Sequence, residues 1–513
     1  MSTFFFLFWA RRQSSMKIVL PVDRQSYWKE VSIILAAFIL SRIISILFGI
    51  QFQFDTLFRY WQFLNTETLK HDLLRGLWYD HSQPPFFNLV LGVVLKTSGN
   101  FAPVVFNFLL LCISLINCFI LLAILRRLIP QSYVPLGIVL LYLLSPGLII
   151  FESELFYTTF ISMLLLTSGY FILQLQSRAP ASTAPDSKDS SEGARPWKYT
   201  LGIFLPITIL CLTRSMYHLI WLVAASACLL FVYKKSIAFK PLLTGAVLSL
   251  LLVSGWYVKN YVIFGQFSTS SWLGMNLSRL VYHDHEVTDT SKISSISAFS
   301  AVSVYRNFID TQYRNKYAGL DDRDLLWEYK DTLLNKNFNN IAYLDISKQY
   351  LDDCKTYIKQ HPGSYISNVF QSFLTFFAPA TRYPLAELEV PKIKYYDLVY
   401  SLNFSHLAKG KKQRRIALMA SAIPKFFIYL CVFYLLGMDI YRRKKISPLN
   451  LFILCTISYV FVTSSLVEHY ENMRFRYEIE PLFLILLGQA LLLAKPFKTI
   501  FNTSSALNHV LKS

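Results

Sequence analysis

The chain has 513 residues, of which 54% are hydrophobic and only 16% charged, with a mean hydropathy of +0.40. Soluble proteins carry about 25% charged residues, and here the apolar residues come in runs of about 18–25, the length that crosses a hydrocarbon core of roughly 30 Å. A soluble globular protein is excluded. The net charge of +19 lies in clusters between the apolar runs, as the positive-inside rule writes topology, so nucleic acid is not an expected partner.

The opening "MSTFFFLFWARRQ" is apolar before basic, the reverse of a cleavable signal peptide, and the first true span is expected to do the targeting. Spans are predicted at about 31–50, 102–125, 133–151, 155–175, 199–213, 215–233, 241–264, 416–437, 448–467 and 475–494. The apolar stretch 86–97 is too short to cross and reads as interfacial or re-entrant. The N-terminus, 126–132, 176–198, 234–240, 438–447 and the C-terminus then face the cytoplasm, with Arg126–Arg127, Lys234–Lys235 and Arg442 to Lys445 on that side. Segments 51–101, 151–154, 265–415 and 468–474 face the opposite way. The fold class is therefore an all-α polytopic membrane protein with about ten transmembrane helices.

Three units follow: an N-terminal module over 1–264, an external segment over 265–415, and a C-terminal membrane module with cytoplasmic tail over 416–513. Within the first, 177–197 is rich in Pro, Ser and Ala without apolar period and reads as a disordered cytoplasmic linker. The external segment is polar but rich in Tyr and Phe, consistent with a small helical domain. Its stretch 364–380 reads as an interfacial helix, since an eleventh span would invert the later topology. The basic run "KGKKQRR" (409–415) then falls on the external side, against the charge rule. Six of seven cysteines lie in apolar runs, so no disulfide framework is implied.

Polar residues gather at the external loops. Asp55 follows the first span by about one turn; a carboxylate at such a dry boundary can serve as a base, or simply pair with Arg59 four residues on. Glu152 and Glu154, in "FESELFY", offer two carboxylates suited to base work or a divalent metal, or a hydrated hairpin tip. "EHYENMRFRYEIEP" (468–481) holds Glu468, His469, Glu471, Arg474, Arg476, Tyr477 and Glu480, and arginine there can fork onto a phosphate or anchor the last span. Arg214 adds a basic group at another helix junction, and His218 reads as a packing residue. Together these clusters suggest an external cavity for a charged, partly lipidic substrate.

Asp55-Thr56 after the first span, then His81-Ser82-Gln83-Pro84-Pro85-Phe86 closing the loop, and "RFRYEIEPLFLIL" (474–486) opening a late span, resemble the GT-C superfamily of membrane glycosyltransferases. The likeness is to the branch of protein O-mannosyltransferases and lipid A aminoarabinose transferases, and covers mainly 31–265 and 448–494. It implies a GT-C bundle and an inverting transfer of a sugar from a polyprenyl- or dolichyl-phosphate donor to a lipid, glycan or protein acceptor. By matching position, Asp55 would be the catalytic acidic residue, deprotonating or orienting the acceptor hydroxyl, and Glu152 or Glu154 the second acidic group. His81 or Gln83, Arg474, Arg476 and Tyr477 would hold the donor phosphate, with Arg214 beside them. The branch works without a metal, although "ESE" also echoes the acidic motif of metal-using oligosaccharyltransferases. Two departures stand out: Thr56 replaces the second acid of the usual Asp-Glu pair, and two residues separate His81 from the prolines. The competing reading is a transporter or flippase of a lipid-linked or anionic substrate, which would call for broken helices or paired repeats. A bacterial inner membrane is favoured over an endoplasmic reticulum, where Asn276-Leu-Ser and Asn403-Phe-Ser would be external sequons.

Overall fold

The computed structural model describes residues 24–129, 133–178, 196–282, 337, 339–383 and 388–494. Residues 179–195 of the expected linker, 283–336 of the external segment, and both chain ends lie outside them. The N-terminal helices are α1 (Arg24–Leu47), three short ones, α2 (Thr56–Arg59), α3 (Thr66–His71) and α4 (Leu73–Trp78), then α5 (Phe86–Ser98) and α6 (Ala102–Leu128). There follow α7 (Val134–Leu143), α8 (Pro146–Ser153), α9 (Thr158–Arg178), α10 (Pro196–Thr213), α11 (Leu219–Tyr233) and α12 (Phe239–Phe264). The loop-rich part adds α13 (Leu273–Tyr282), α14 (Ala342–Gln360), α15 (Pro362–Phe376) and α16 (Lys394–Ser401). The chain closes with α17 (Lys411–Arg443), α18 (Pro448–Val467), α19 (Asn472–Glu478) and α20 (Glu480–Leu493).

Among the described residues seven stretches are long and apolar enough to cross a membrane: α1, α5 with α6, α9, α10, α12, α17 and α18. The pair α7–α8, bent by 47°, makes eight. The other two expected spans are α11 and α20, with 15 and 14 residues, only about 22 Å long at 1.5 Å per residue. The all-α polytopic class holds; by length and composition the described residues supply seven spans, or eight if the bent pair is one, which does not confirm the expected ten. Helix α5 has 13 residues, roughly 20 Å, and cannot cross alone, whereas the 27 of α6 reach roughly 40 Å. Gly99, at φ +51°, turns the chain between them, a conformation that glycine takes without a Cβ penalty.

Two prolines explain the remaining departures from the predicted spans. Pro146 has no N–H and disfavours helix at Ser145, so the span predicted over 133–151 breaks there, with Ser145 Oγ accepting from Leu148 N at 3.1 Å. The break frees carbonyls that a bilayer cannot satisfy. Tyr396 and Tyr400 of α16 donate their hydroxyls to Leu144 O and Leu141 O. Pro481 acts similarly on the last predicted span, which divides at Ile479 into α19 and α20.

Helix α9 is the most enclosed of the long helices and packs against α6, α10, α18 and α19. Short polar side chains stitch the bundle: Asn117 Nδ2 donates to Thr159 O at 3.0 Å, Ser168 Oγ to Ile203 O at 3.1 Å, and Thr208 Oγ1 to Ser249 Oγ at 2.8 Å. At one end Arg126 Nε donates to Glu30 Oε2 at 2.7 Å, tying α6 to α1. Elsewhere the loop-rich parts meet: Gln53 of the first loop bonds Ser153, His81 bonds Asn339, and Arg279 pairs with Glu468.

There α13 lies so close to α14 that a Cβ on Gly274 would collide with the Ser347 carbonyl and crowd Leu351 N. Backbone cannot yield as a side-chain tip can, so Gly274→Ala is expected to cost about 1–3 kcal/mol, seen as a lower melting temperature in detergent. The stretch predicted as interfacial forms α15, 15 residues long, docked on α18 through Tyr365 Oη to Leu466 O at 2.9 Å. Helix α17 has 33 residues, about 50 Å, so its basic first turns overshoot the membrane core. All seven cysteines are free. Of the two sequons, Asn403 Nδ2 is bonded to Asp397 Oδ2 at 2.7 Å, and Asn276 sits in α13, where Ser278 Oγ donates to Met275 O at 2.8 Å.

Candidate functional site at the loop-rich end

The end of α1, the α8–α9 turn and the segment before α16 are knitted together. Gln53 N donates to Ser153 O at 2.7 Å, and Gln53 bridges Glu154 in parallel sense. The buried Glu389 carboxylate accepts from Gln53 Nε2 at 2.6 Å and from Lys392 Nζ at 2.8 Å, while Lys392 also reaches Gly49 O at 2.8 Å.

The turn before α5 is built on Asp80, which is fully buried. Its Oδ1 accepts from Ser82 N and Oγ, both at 3.0 Å, and from Gln83 N at 3.2 Å; its Oδ2 accepts from Asn88 Nδ2 at 3.1 Å. Burial pushes the Asp80 carboxyl up to about 6, against the pull of Lys259. Lys259 Nζ, from α12, donates to Trp78 O at 3.0 Å and Asp80 O at 2.8 Å. Asn339 Oδ1 accepts from His81 N at 2.9 Å, and His81 Nδ1 meets Ser271 Oγ at 2.9 Å. Burial first, and Lys259 second, hold the His81 imidazole down to about 3, so it is neutral at pH 7. Its Nε2 has no hydrogen-bond partner among the described residues. Gln83 is half-buried in the same turn.

The three predicted acids have three different environments. Asp55 lies at the surface before α2, paired with Arg59 Nε at 3.0 Å. Glu152 is buried and held by two hydrogen bonds from Arg42 of α1, Nε to Oε1 at 2.6 Å and Nη2 to Oε2 at 2.8 Å; Arg42 Nη1 also donates to Leu143 O at 3.0 Å, at the α7–α8 break. Glu154 is buried, has no ion pair with an arginine among the described residues, and accepts from Tyr60 Oη at 2.9 Å. Burial pushes its carboxyl up to about 7, opposed by that hydrogen bond and by Arg59 and Arg474. A carboxylate near neutrality in a dry pocket is suited to taking a proton.

Beyond Glu154 stand the basic residues. Arg474 of α19 is 2% exposed, pairs through Nη2 with Glu471 Oε2, and has no partner for Nε and Nη1 among the described residues. Rings wall it in: Phe156 at 4.5 Å, Tyr383 at 5.0 Å, Phe475 at 5.2 Å and Tyr157 at 5.8 Å from Cζ. Arg279 of α13 reaches Glu468 at 3.4 Å and Glu471 at 3.6 Å, and both Arg279 and Glu471 keep some accessible surface. Arg214 pairs with the fully buried Glu478 and lies over Phe475, with 4.0 Å from Cζ to ring centroid. Arg476, two residues beyond Arg474, points to another side of α19 and pairs with Glu480. Tyr477 Oη meets Ser145 Oγ at 2.9 Å, pinning α19 to the α7–α8 break. His218 Nδ1 lies 3.5 Å from Tyr257 Oη, a packing contact between helices.

The structure thus brings Glu154 and Arg474 into one neighbourhood, places Asp55 at its surface rim, and sets Glu152, Arg214, Arg476 and Tyr477 in ion pairs and hydrogen bonds around it. His81 and Gln83 belong to the separate Asp80 turn. Arg42, Tyr60, Lys259, Arg279, Tyr383 and Glu478 were not singled out by sequence reasoning. Only Arg42 and Lys259 carried a usable signal, a lone charge inside an apolar run. Among the described residues no three His, Cys, Asp or Glu side chains converge as a metal site would need. Compared with known protein families, with curated proteins and with solved structures, the chain finds no match.

Proposed function

We propose that the protein is an integral-membrane glycosyltransferase that moves a sugar from a polyprenyl-phosphate carrier to an acceptor on the non-cytoplasmic face. One observation carries this reading: Arg474, buried with two N–H groups unfilled, faces aromatic rings beside the Glu154 carboxyl. Unmet donors on a buried charged group are costly, about 1–3 kcal/mol or more each, and a phosphate presents the paired oxygens that a guanidinium fork matches. Aromatic faces suit a sugar ring or an isoprenoid chain. The donors point into closed protein, so ligand entry requires the rings around them to shift.

In the proposed reaction Glu154 takes the proton of the acceptor hydroxyl as its oxygen forms a bond to the anomeric carbon. The bond from that carbon to the phosphate oxygen breaks, and its electron pair leaves with the lipid phosphate, which Arg474 steadies. Asp55, exposed and paired with Arg59, would guide the acceptor at the rim.

Membranes carrying the protein are to be given a panel of labelled polyprenyl-phosphate sugars and assayed for product and for the freed lipid phosphate. Transfer is expected from one of them, and Arg474→Lys, which keeps charge but not the planar fork, should lower kcat/KM about 10- to 100-fold. Movement of the intact lipid-linked sugar across the bilayer, with its phosphate–sugar bond unbroken, would establish a flippase instead.

A further inference from the structure

Tyr60 closes the short helix α2, its N–H donating to Thr56 O at 3.0 Å, and its hydroxyl reaches Glu154, 94 residues further on in the chain. We propose that Tyr60 is a positioning residue for the transfer: its hydroxyl holds Glu154 by Oε2, favours the ionised carboxylate, and leaves Oε1 to take the proton of the acceptor hydroxyl. The role in transfer rests on the transferase reading. The hold on the carboxyl rests only on the Tyr60–Glu154 bond.

Two sets of contacts bring the phenol to that place. Thr56 Oγ1 donates to Gln53 O at 2.8 Å, and Gln53 is itself bonded to Ser153 and bridged to Glu154. The start of α2 is thus fastened to the segment that carries the carboxyl. The Tyr60 ring then packs edge to face against Phe156, at 4.7 Å between centroids, and against Phe63, at 5.5 Å. Phe156 also faces Arg474, with 4.5 Å from Cζ to its centroid, so one ring touches both the phenol and the guanidinium. Tyr60 and Glu154 are 2% and 1% exposed, and a hydrogen bond shielded from water is stronger than one in it.

The bond acts in one direction. An ionised carboxylate only accepts, and a hydrogen bond to it is about twice as strong as one between neutral groups. Burial first pushes the Tyr60 phenol well above its ordinary range, so the phenol keeps its proton and donates. The bond therefore opposes the burial that pushes the Glu154 carboxyl up to about 7. Arg59 of α2 and Arg474 of α19 act in the same sense as Tyr60, and Glu389 acts against it. Tyr383 also faces the carboxyl, and burial keeps its phenol protonated too. Arg59 is paired with Asp55, Arg474 with Glu471 and Glu389 with Lys392. Of all these groups, Tyr60 is the one hydrogen-bonded to the Glu154 carboxyl.

Tyr60→Phe keeps the ring between Phe63 and Phe156 and removes only the hydroxyl. The first readout needs no turnover. In the full-length protein in detergent, the infrared C=O band of protonated Glu154, assigned by its absence from Glu154→Gln, is titrated with pH. It should reach half intensity at about pH 7 in the wild type and about one pH unit or more higher in Tyr60→Phe. The second readout is transfer. The acid limb of kcat/KM should move up by the same amount, making Tyr60→Phe about tenfold slower below pH 7, with most of the difference regained above the shifted limb.

Equal band midpoints in the two proteins would overturn the proposal. So would an even loss of transfer at every pH with the limb unmoved, which is what lost packing alone produces. Where Tyr60→Phe does not fold, Thr56→Val, which unfastens α2 from Gln53, should shift the band the same way, and an unmoved band there would overturn the proposal. A shifted band with no transfer from any donor would overturn the transferase reading and leave the hold of Tyr60 on Glu154 established.

Discussion

Glu154→Gln is expected to lower sugar transfer by about 10²–10⁴-fold, the range that a positioned general base contributes, while the protein still folds. The amide keeps the shape of the side chain and can still accept the Tyr60 Oη hydrogen bond of 2.9 Å, so the loss would report on proton transfer. The pH dependence follows with a definite sign. The carboxyl is held up to about 7 by burial, and only its ionised form accepts a proton. In the wild type kcat/KM should therefore fall roughly tenfold per pH unit below about 7 and level off above it. Asp55→Asn should keep that acid limb, because it leaves Glu154 and its Tyr60 hydrogen bond in place. An intact limb in Glu154→Gln, with activity lost in Asp55→Asn, would move the base to Asp55, as the likeness to the membrane mannosyltransferases implies.

The second large effect concerns stability. Arg42→Met is expected to cost about 3–5 kcal/mol, the range for breaking a buried ion pair. It leaves Glu152, buried and stripped of both its arginine hydrogen bonds, and it also removes the donor to Leu143 O at the helix break. The double variant Arg42→Met with Glu152→Leu should recover most of that loss, because two apolar side chains bury no charge. Thermal unfolding of the four proteins in one detergent completes the cycle. A double variant no better than Arg42→Met alone would show that the pair does more than balance charge.

The membrane class was legible because it rests on run length and hydropathy, which the bilayer imposes residue by residue. So was the gathering of 51–101, 151–154 and 468–474 at one end, since the basic clusters set which loops share a side. The helix count was less so: α11 and α20 are apolar but short, and the Pro146 break divides a run that composition reads as continuous. Within the site, the sequence shows that Asp55, Glu152 and Glu154 are acidic but not which is neutralised. That depends on Arg42, 110 residues from Glu152, and on Tyr60, 94 residues from Glu154. Local pattern carries no trace of such partners. The segment His81 to Phe86 was read for its histidine or its glutamine, yet the turn is organised by Asp80, whose ties to Ser82, Gln83 and Asn88 are short-range and were open to inspection as an Asx turn.

The pairing of Arg214 with Glu478 has a consequence for how the chain is made. The two are 264 residues apart, and His81 waits 258 residues for Asn339. Synthesis runs from the N-terminus, so Arg214 is placed in the membrane long before its counter-charge leaves the ribosome. For that interval the half-built bundle carries, at the end of α10, an arginine without its counter-charge, and it must keep water or a lipid phosphate beside it. Only with α19 in place does the N-terminal module become electrically complete. A chain that stops short of α19 is thus marked as unfinished by its own unpaired charge, whatever the state of its earlier helices.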